Sequence, residues 1–385
     1  MSGLHRRILF IVAGLGAGGA ERVISLMSGA WVKRGWDVKI LAFDSPNDPV
    51  YHAFDPAVKI VRLGLLPTVG GPAGSLLVQG RRILAIRRTL ARLQPDIAIS
   101  FLTKINVLTL LATAGTRHRV IVSERNNPRA QQASASWNAL LARLYPRADA
   151  IVMQTRASLD CLPAKVRARA IVINNPIAMA SPKLPPAEKH VLTAVGRLAY
   201  QKGFDLLIDA FATIAPKHPH WTLRIWGEGE MRPALEQQVA RLGLTHRVEL
   251  PGKSRNPESW VEQANVMVLS SRHEGFANVL GEAMAAGLPV VAFDCDFGPA
   301  EMISHGVDGL LVPAGDVAAM AVALSQVMAD SALRERLGRA AKISSERFSP
   351  PRIIARWDAL IEDVLEATIS KPARSSETPA SGGIH

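Results

Sequence analysis

Ile8-Leu9-Phe10-Ile11-Val12-Ala13 runs directly into Gly14-Leu15-Gly16-Ala17-Gly18-Gly19, and the apolar–polar period of Glu21–Lys33 follows at once. A short aliphatic run of this kind suits a strand buried on both faces, and it is too short to span a bilayer. The glycines allow a tight turn, and the periodic segment predicts an amphipathic helix. Strand, glycine turn and helix in that order form the opening unit of a doubly wound α/β fold.

The same unit recurs outward along the chain. Further strands are expected at Val38–Phe43, Val58–Leu63, Ile97–Phe101, Val120–Ser123, Ala150–Met153 and Ala170–Ile173, with helical stretches Leu76–Arg92 and Trp137–Leu144 among them. Asn174-Asn175-Pro176 and then Ser181-Pro182-Lys183-Leu184-Pro185-Pro186 interrupt the rhythm as a linker would. A second series places strands at Leu192–Gly196, Thr222–Trp226, Arg247–Leu250, Val266–Leu269, Val290–Phe293 and Gly309–Val312. Its helices are expected at Phe204–Ile214, Met231–Leu242, Asn278–Ala286, Val317–Met328 and Ala332–Glu346, and a last amphipathic helix at Ile353–Ala367. The expected organisation is two Rossmann-like domains over 1–178 and 179–349, a final helix over 350–367, and a Ser/Pro/Gly-rich tail over 368–385 expected to be disordered. Two such domains in tandem leave a cleft at the carboxyl ends of their strands, where ligands bind.

Composition bounds the rest. The 385 residues suffice for two cores, and 48% hydrophobic with 20% charged residues is ordinary for a globular protein. Two cysteines, Cys161 and Cys295, provide no disulfide framework, so a reducing cytoplasm is expected, with no signal peptide or transmembrane segment evident. The net charge of +12 is unevenly spread: residues 1–178 carry 24 Lys and Arg against 9 Asp and Glu, and the remainder is nearly neutral. Nucleic acid, an anionic membrane surface and phosphate-bearing substrates would each suit such a basic half.

Several motifs carry candidate chemistry, and each has a plainer reading beside it. The glycine turn matches G-x-G-x-x-G, with Asp44 near the end of the next strand, as a dinucleotide site would require. A lone match is weak, since such a turn lets any ligand approach the backbone; Gly18 and Gly19 are the part retained. Glu274-Gly275-Phe276-Ala277-Asn278-Val279-Leu280-Gly281-Glu282 sets two carboxylates across a loop-to-helix junction, with Asn278 as the expected N-cap. Free N–H groups there can hold a diphosphate, and the carboxylates can accept from sugar hydroxyls. Acidic residues in a first helical turn can also be purely stabilising, which accounts for Glu282 but not for the whole string. Upstream, Gly196-Arg197-Leu198-Ala199-Tyr200-Gln201-Lys202-Gly203 offers a guanidinium and an ammonium on one loop, either a diphosphate clamp or a solvated turn.

Asp294-Cys295-Asp296 has a metal-binding D-x-D shape, but Arg197 and Lys202 make a metal redundant for charge, so none is expected. Arg81, Arg82, Arg87, Arg88 and Arg92 cluster on one predicted helix, which could meet anionic lipid or acceptor phosphate, or simply face solvent. Without aromatic interleaving or a reading motif, nucleic acid is not expected as a partner.

Glu274 and Glu282 together with Gly196-Arg197 and Lys202 resemble the donor site of the family 4 retaining glycosyltransferases. Gly18-Gly19-Ala20-Glu21-Arg22 is similar to their common opening. Ile99-Ser100-Phe101-Leu102 followed by Ser123-Glu124-Arg125-Asn126-Asn127-Pro128 resembles a subgroup of amylovoran type, whose members build exopolysaccharides and lipid-linked glycans. The resemblance implies a GT-B fold with the last helix crossing back onto the N-terminal domain. It places Arg197 and Lys202 on the donor diphosphate, Glu282 on the ribose and Glu274 on the transferred sugar. Backbone amides from Gly275 to Asn278 would reach the phosphates or sugar, and Gly252-Lys253 would lie by the base. It further implies catalysis without a cofactor or metal, a retained anomeric configuration, and a leaving phosphate that takes the acceptor's proton.

On this reading the enzyme moves a hexose or N-acetylhexosamine from a nucleotide diphosphate sugar to a lipid-linked saccharide acceptor at the cytoplasmic membrane face. Glu124, Arg125 and Asn126 would lie on the acceptor or sugar side, and Arg125 departs from the histidine many relatives place there; a guanidinium can only donate. A sugar-nucleotide epimerase or a non-catalytic binding protein of the same fold would share the donor site.

Overall fold

The computed structural model describes residues 5–16, 18–65, 72–125, 135–178, 190–254 and 259–367. Seven parallel strands form the first sheet: β1 Arg7–Val12, β2 Asp37–Ala42, β3 Lys59–Arg62, β4 Ile97–Phe101, β5 Val120–Ser123, β6 Ala150–Met153 and β7 Ala170–Val172, in the order β3-β2-β1-β4-β5-β6-β7. Six parallel strands form the second: β8 His190–Val195, β9 Trp221–Trp226, β10 Val248–Gly252, β11 Val266–Leu269, β12 Val290–Asp294 and β13 Leu310–Pro313, in the order β10-β9-β8-β11-β12-β13. In both sheets the order reverses beside the first strand of the domain. The crevice outside the strand ends at such a point is where doubly wound folds bind ligands.

The period-2 alternation explains why the strands read as unbroken apolar runs. Ile8, Phe10 and Val12 of β1 point into one buried cluster, and Leu9 and Ile11 into another on the opposite face. In the second sheet Leu192 and Ala194 face one cluster while Val195, Met267 and Leu269 face the other. Helices cover both faces, as a parallel sheet requires.

The helix Pro350–Glu366 leaves the second domain and returns to the first. Its Ile353, Trp357, Leu360 and Ile361 sit in the same cluster as Phe10, Trp31 and Phe101 of the N-terminal domain. Trp31 Nε1 donates to Asp358 at 2.8 Å, and Arg6 and Arg34 pair with Glu362 and Asp358. The boundary is also set slightly earlier than the proline run. Ile177 is buried in the C-terminal core, and its N–H donates to the Phe348 carbonyl at 2.8 Å.

Strand placement follows the expected runs within two residues, but the helix Thr103–Ala112 has no counterpart among the expected elements. Its sequence Thr-Lys-Ile-Asn-Val-Leu-Thr-Leu-Leu-Ala is buried at nearly every position, so it has no polar stripe to mark a period. The tail over 368–385 lies outside the described residues.

Candidate functional site

A cavity of about 1030 Å³ opens between the domains, lined from both sides. Its C-terminal wall is built by three loops that glycine allows to approach. Gly203 adopts φ +62°, and a Cβ there would lie 2.1 Å from the Ser270 carbonyl. Gly227, at φ +145°, would meet the Gly196 carbonyl at 1.8 Å. The loops after β8, β9 and β11 are therefore in direct backbone contact.

Hydrogen bonds fix the register of these loops. Ser270 Oγ donates to the Lys202 carbonyl at 2.9 Å, Gln201 Nε2 to the His273 carbonyl at 2.9 Å, and Arg272 N–H to the Gln201 carbonyl at 2.8 Å. Arg272 also stacks 3.9 Å over the Tyr200 ring while pairing with Asp205.

This lacing brings Lys202 Nζ to 2.6 Å from Glu274 Oε1, which also accepts from Ser271 Oγ at 2.6 Å. Glu274 is only 6% exposed, so its charge is held by these two donors rather than by water. Arg197 is exposed on the same wall, and Lys253 is exposed beyond it near Trp226 and Trp260. Gly252 lies behind the cavity wall, not on it: its carbonyl accepts from Gly227 N–H at 2.9 Å, and its φ of +88° makes the turn that presents Lys253.

The helix Asn278–Ala285 starts at the cavity, and so does the N-terminal helix Gly19–Val32. Asn278 is not the N-cap. Ala277 holds that position, and the Asn278 amide is drawn across the cleft instead. Its Oδ1 accepts from Asn175 Nδ2 at 2.6 Å, and its Nδ2 donates to the Gly19 carbonyl at 3.5 Å. Neither N-cap residue supplies a side-chain cap, so both helices turn their positive dipole ends to the same space, the Glu21 carboxylate folding back over the first turn of the N-terminal one. An anion between them is stabilised by both.

Gly275, Phe276, Ala277, Asn278, Gly18 and Gly19 all line this space, and Glu282 completes it one turn along the helix. The backbone beneath is strained. Phe297 adopts φ +59° next to Asp296, whose carbonyl accepts from Glu274 N–H at 3.2 Å. Asp296 thus supports the site through backbone, and neither Asp294 nor Asp296 lines the cavity. Among the described residues no group of three or more His, Cys, Asp or Glu is arranged around a metal position.

The dinucleotide motif has a structural explanation. Asp44 accepts from Leu15 N–H at 2.8 Å and from Arg62 Nη2 at 2.6 Å and Nε at 3.0 Å, so its carboxylate ties down the glycine turn and is not presented to a ribose.

On the N-terminal wall the adjacent residues Glu124 and Arg125 part ways. Extended backbone sends successive side chains to opposite sides. Glu124 turns into the domain and does not line the cavity. It accepts from Thr103 Oγ1 at 2.7 Å, from Asn106 Nδ2 at 3.2 Å and from the Tyr145 hydroxyl. Burial raises its pKa above the ordinary carboxyl value, against those hydrogen bonds, which pull the other way. It is a structural carboxyl, not an acceptor-side group.

Arg125 faces the cleft but is 7% exposed, with its guanidinium 4.6 Å over the Phe101 ring and 5.7 Å from Trp357. One nitrogen donates to Asn175 Oδ1, while Nε and Nη2 have no hydrogen-bond partner among the described residues. Burial pulls its pKa down to about 9. Asn126 lies outside the described residues.

The basic helix is divided too. Arg82 donates to the Leu65 carbonyl at 2.9 Å and lies 5.1 Å over Phe43, and Arg87 donates to the Ala114 carbonyl at 3.1 Å, so both hold the fold. Arg81, Arg88 and Arg92 are exposed, on one stripe with the exposed Leu77 and Leu84.

Arg22, Asn175 and Gln154 also line the cavity, although the sequence reading assigned them no role. Only the Gly-Gly-Ala-Glu-Arg string pointed toward Arg22. Asn175 sits in what read as linker, and Gln154 follows an apolar strand without any motif.

Residues 18–176 match the family described as "Glycosyl transferase 4-like domain", and residues 189–330 match "Glycosyl transferases group 1". The exopolysaccharide phosphotransferase of Streptomyces coelicolor is 33% identical over 296 residues, covering 76% of this chain; the chain spans 31% of that protein. The amylovoran biosynthesis glycosyltransferase AmsD of Erwinia amylovora is 25% identical over 92% of this chain and 99% of its own. The GalNAc-alpha-(1->4)-GalNAc-alpha-(1->3)-diNAcBac-PP-undecaprenol alpha-1,4-N-acetyl-D-galactosaminyltransferase of Campylobacter jejuni is 27% identical over 94% and 99%. In fold, a sucrose-phosphate synthase from Thermosynechococcus elongatus superposes with a TM-score of 0.82 at 21% identity, over 94% of this chain and 100% of that one.

Proposed function

This chain belongs to the family 4 glycosyltransferases of the GT-B fold, and on that premise we propose that it transfers a hexose or N-acetylhexosamine, with retention, from a nucleotide diphosphate sugar to a polyprenyl-diphosphate-linked saccharide. The observation that carries the donor half is the convergence of Arg197, Lys202, Glu274, Glu282 and two helix N-termini on one interdomain cavity. Negative charge builds on the departing diphosphate as the bond from sugar carbon to phosphate oxygen breaks, and preorganised cations and amide dipoles stabilise that charge most. Lys202 is released toward phosphate at the cost of its contact with Glu274, which then turns to sugar hydroxyls. The acceptor hydroxyl bonds to the sugar carbon on the face the phosphate leaves, and its proton passes to the leaving phosphate oxygen. No side-chain base is required in this scheme. Its charges are met by Arg197 and Lys202 without a metal.

The acceptor half rests on the relatives and on the exposed stripe of Arg81, Arg88 and Arg92 with Leu77 and Leu84. Such a stripe suits anionic headgroups over an acyl boundary. Among the described residues no single helix is long and apolar enough to cross a membrane. That stripe and the proposed acceptor class support a peripheral place on the cytoplasmic membrane face.

The test is a mass-spectrometric screen of nucleotide sugars against a bacterial membrane lipid extract. The expected product is a lipid-linked glycan heavier by one hexose or N-acetylhexosamine, with the donor's anomeric configuration by NMR. Conversion of the sugar with donor alone would instead identify an epimerase.

A further inference from the structure

Arg22 stands in the first turn of the N-terminal domain's helix Gly19–Val32, and its Nη1 lies 3.1 Å from Glu282 Oε1 on the C-terminal domain's helix Asn278–Ala285. The ion pair therefore crosses the cleft. It joins partly buried groups, with side chains 19% and 12% exposed. Both residues line the cavity.

The pair is not the only polar link between the domains among the described residues. The Glu301 carboxylate accepts from the N–H groups of Arg156 and Ala157. Within the cleft the Asn175–Asn278 hydrogen bond also spans the domains.

Glu282 is the carboxylate that the proposed function places on the donor's ribose. A ribose that hydrogen-bonds Glu282 Oε1 competes with Arg22 for that oxygen. The guanidinium carries five N–H donors in a rigid fork, more than one carboxylate can occupy. Around it the two helix N-termini converge. Gly19 is close enough to Asn278 that a Cβ would sit 2.6 Å from its amide nitrogen. A pyrophosphate attached to that ribose arrives at this convergence, within reach of the first turn that bears Arg22.

We propose that Arg22 is a donor-binding residue contributed by the N-terminal domain, which yields Glu282 to the ribose and moves its guanidinium onto the pyrophosphate. Nucleotide engagement and docking of the two domains then become one event, because the ligand replaces a salt bridge that joins them. This rests on the donor-site reading above.

Isothermal titration of the full chain separates the two ideas, with UDP and GDP compared against uridine and guanosine. The quantity read is the ratio of nucleoside Kd to nucleoside diphosphate Kd for whichever base binds. In Arg22→Ala the ratio is expected to fall about tenfold or more, as loss of a charge-assisted phosphate contact implies. Nucleoside affinity itself should hold or improve, because Glu282 has lost its competitor. Arg22→Lys should restore part of the ratio, and circular dichroism confirms that each variant is folded. A ratio unchanged in Arg22→Ala but lowered in Arg197→Ala overturns this inference and leaves the donor site standing. A nucleoside affinity that drops in Arg22→Ala also overturns it, since Arg22 would then be building the ribose site. No binding of either nucleoside diphosphate by the wild-type protein overturns both readings.

Discussion

Lys202 and Glu274 neutralise each other at 2.6 Å, while Arg197 stands exposed on the same loop. The two cations should therefore fail differently when removed. Arg197→Ala is expected to cost about 2–4 kcal/mol in kcat/KM, the usual loss for a donor aimed at developing charge. Lys202→Ala should cost as much and also leave Glu274 buried beside Ser271 alone, lowering Tm as well. Steady-state kinetics and calorimetry on both variants check this, and full turnover in either would remove that residue from the clamp. Arg125 invites the opposite experiment. Its buried, half-partnered guanidinium has a pKa pulled down to about 9, so the charged form costs stability at every pH below that. The cost fades as pH rises from about 9 toward the ordinary arginine range. Arg125→Met should raise stability by about 1–3 kcal/mol at pH 7, and by less at pH 10, while lowering kcat/KM. A Tm that falls at pH 7 would make Arg125 a purely structural residue. The sequence could place a guanidinium where the family resemblance leads one to expect an imidazole. It could not show the stacking, because Phe101 and Trp357 come from distant strand and helix positions.

Elements were most legible where one face is wet. The helix Gly19–Val32 and the terminal helix Pro350–Glu366 carry polar stripes, and their expected bounds fall within three residues of the observed ones. Thr103–Ala112 was invisible for the converse reason, being buried all round and held by Thr103 and Asn106 to Glu124. The same logic divides the helix Pro72–Leu93. Five arginines look equivalent in sequence, but Arg82 and Arg87 reach backbone carbonyls that only the tertiary fold brings near. Replacing Arg81, Arg88 and Arg92 by Gln should abolish co-sedimentation with phosphatidylglycerol vesicles at low salt and leave Tm within about 1 °C, as surface changes do. Arg82→Ala should instead lower Tm with vesicle binding intact. If the triple variant binds vesicles like wild type, the stripe is only a solvated face.

At the scale of the molecule, the alternation of strands and helices announced two doubly wound sheets, although Ile177, ahead of the proline run, already packs in the C-terminal core. The donor wall was readable because its residues cluster in two loops of one domain. The opposite wall was not, since Arg22, Gln154 and Asn175 become neighbours only through the cleft. The terminal helix sets a thermodynamic test. Trp357 is fully buried in the N-terminal core, so Trp357→Ala should cost about 3–5 kcal/mol there. In calorimetry the unfolding of the N-terminal domain should shift down, while the transition that UDP or GDP raises in the second domain holds its temperature. A single transition moving as a unit would mean the domains unfold together.

That helix also fixes an order of events during synthesis. Residues 350–366 leave the ribosome after both sheets have emerged, yet they complete the core of the domain translated first. The first-made domain is thus the last to close. A ribosome that stalls anywhere in the second domain releases a product whose earlier half exposes the apolar pocket around Phe10, Trp31 and Phe101, a signal that proteases and chaperones act upon.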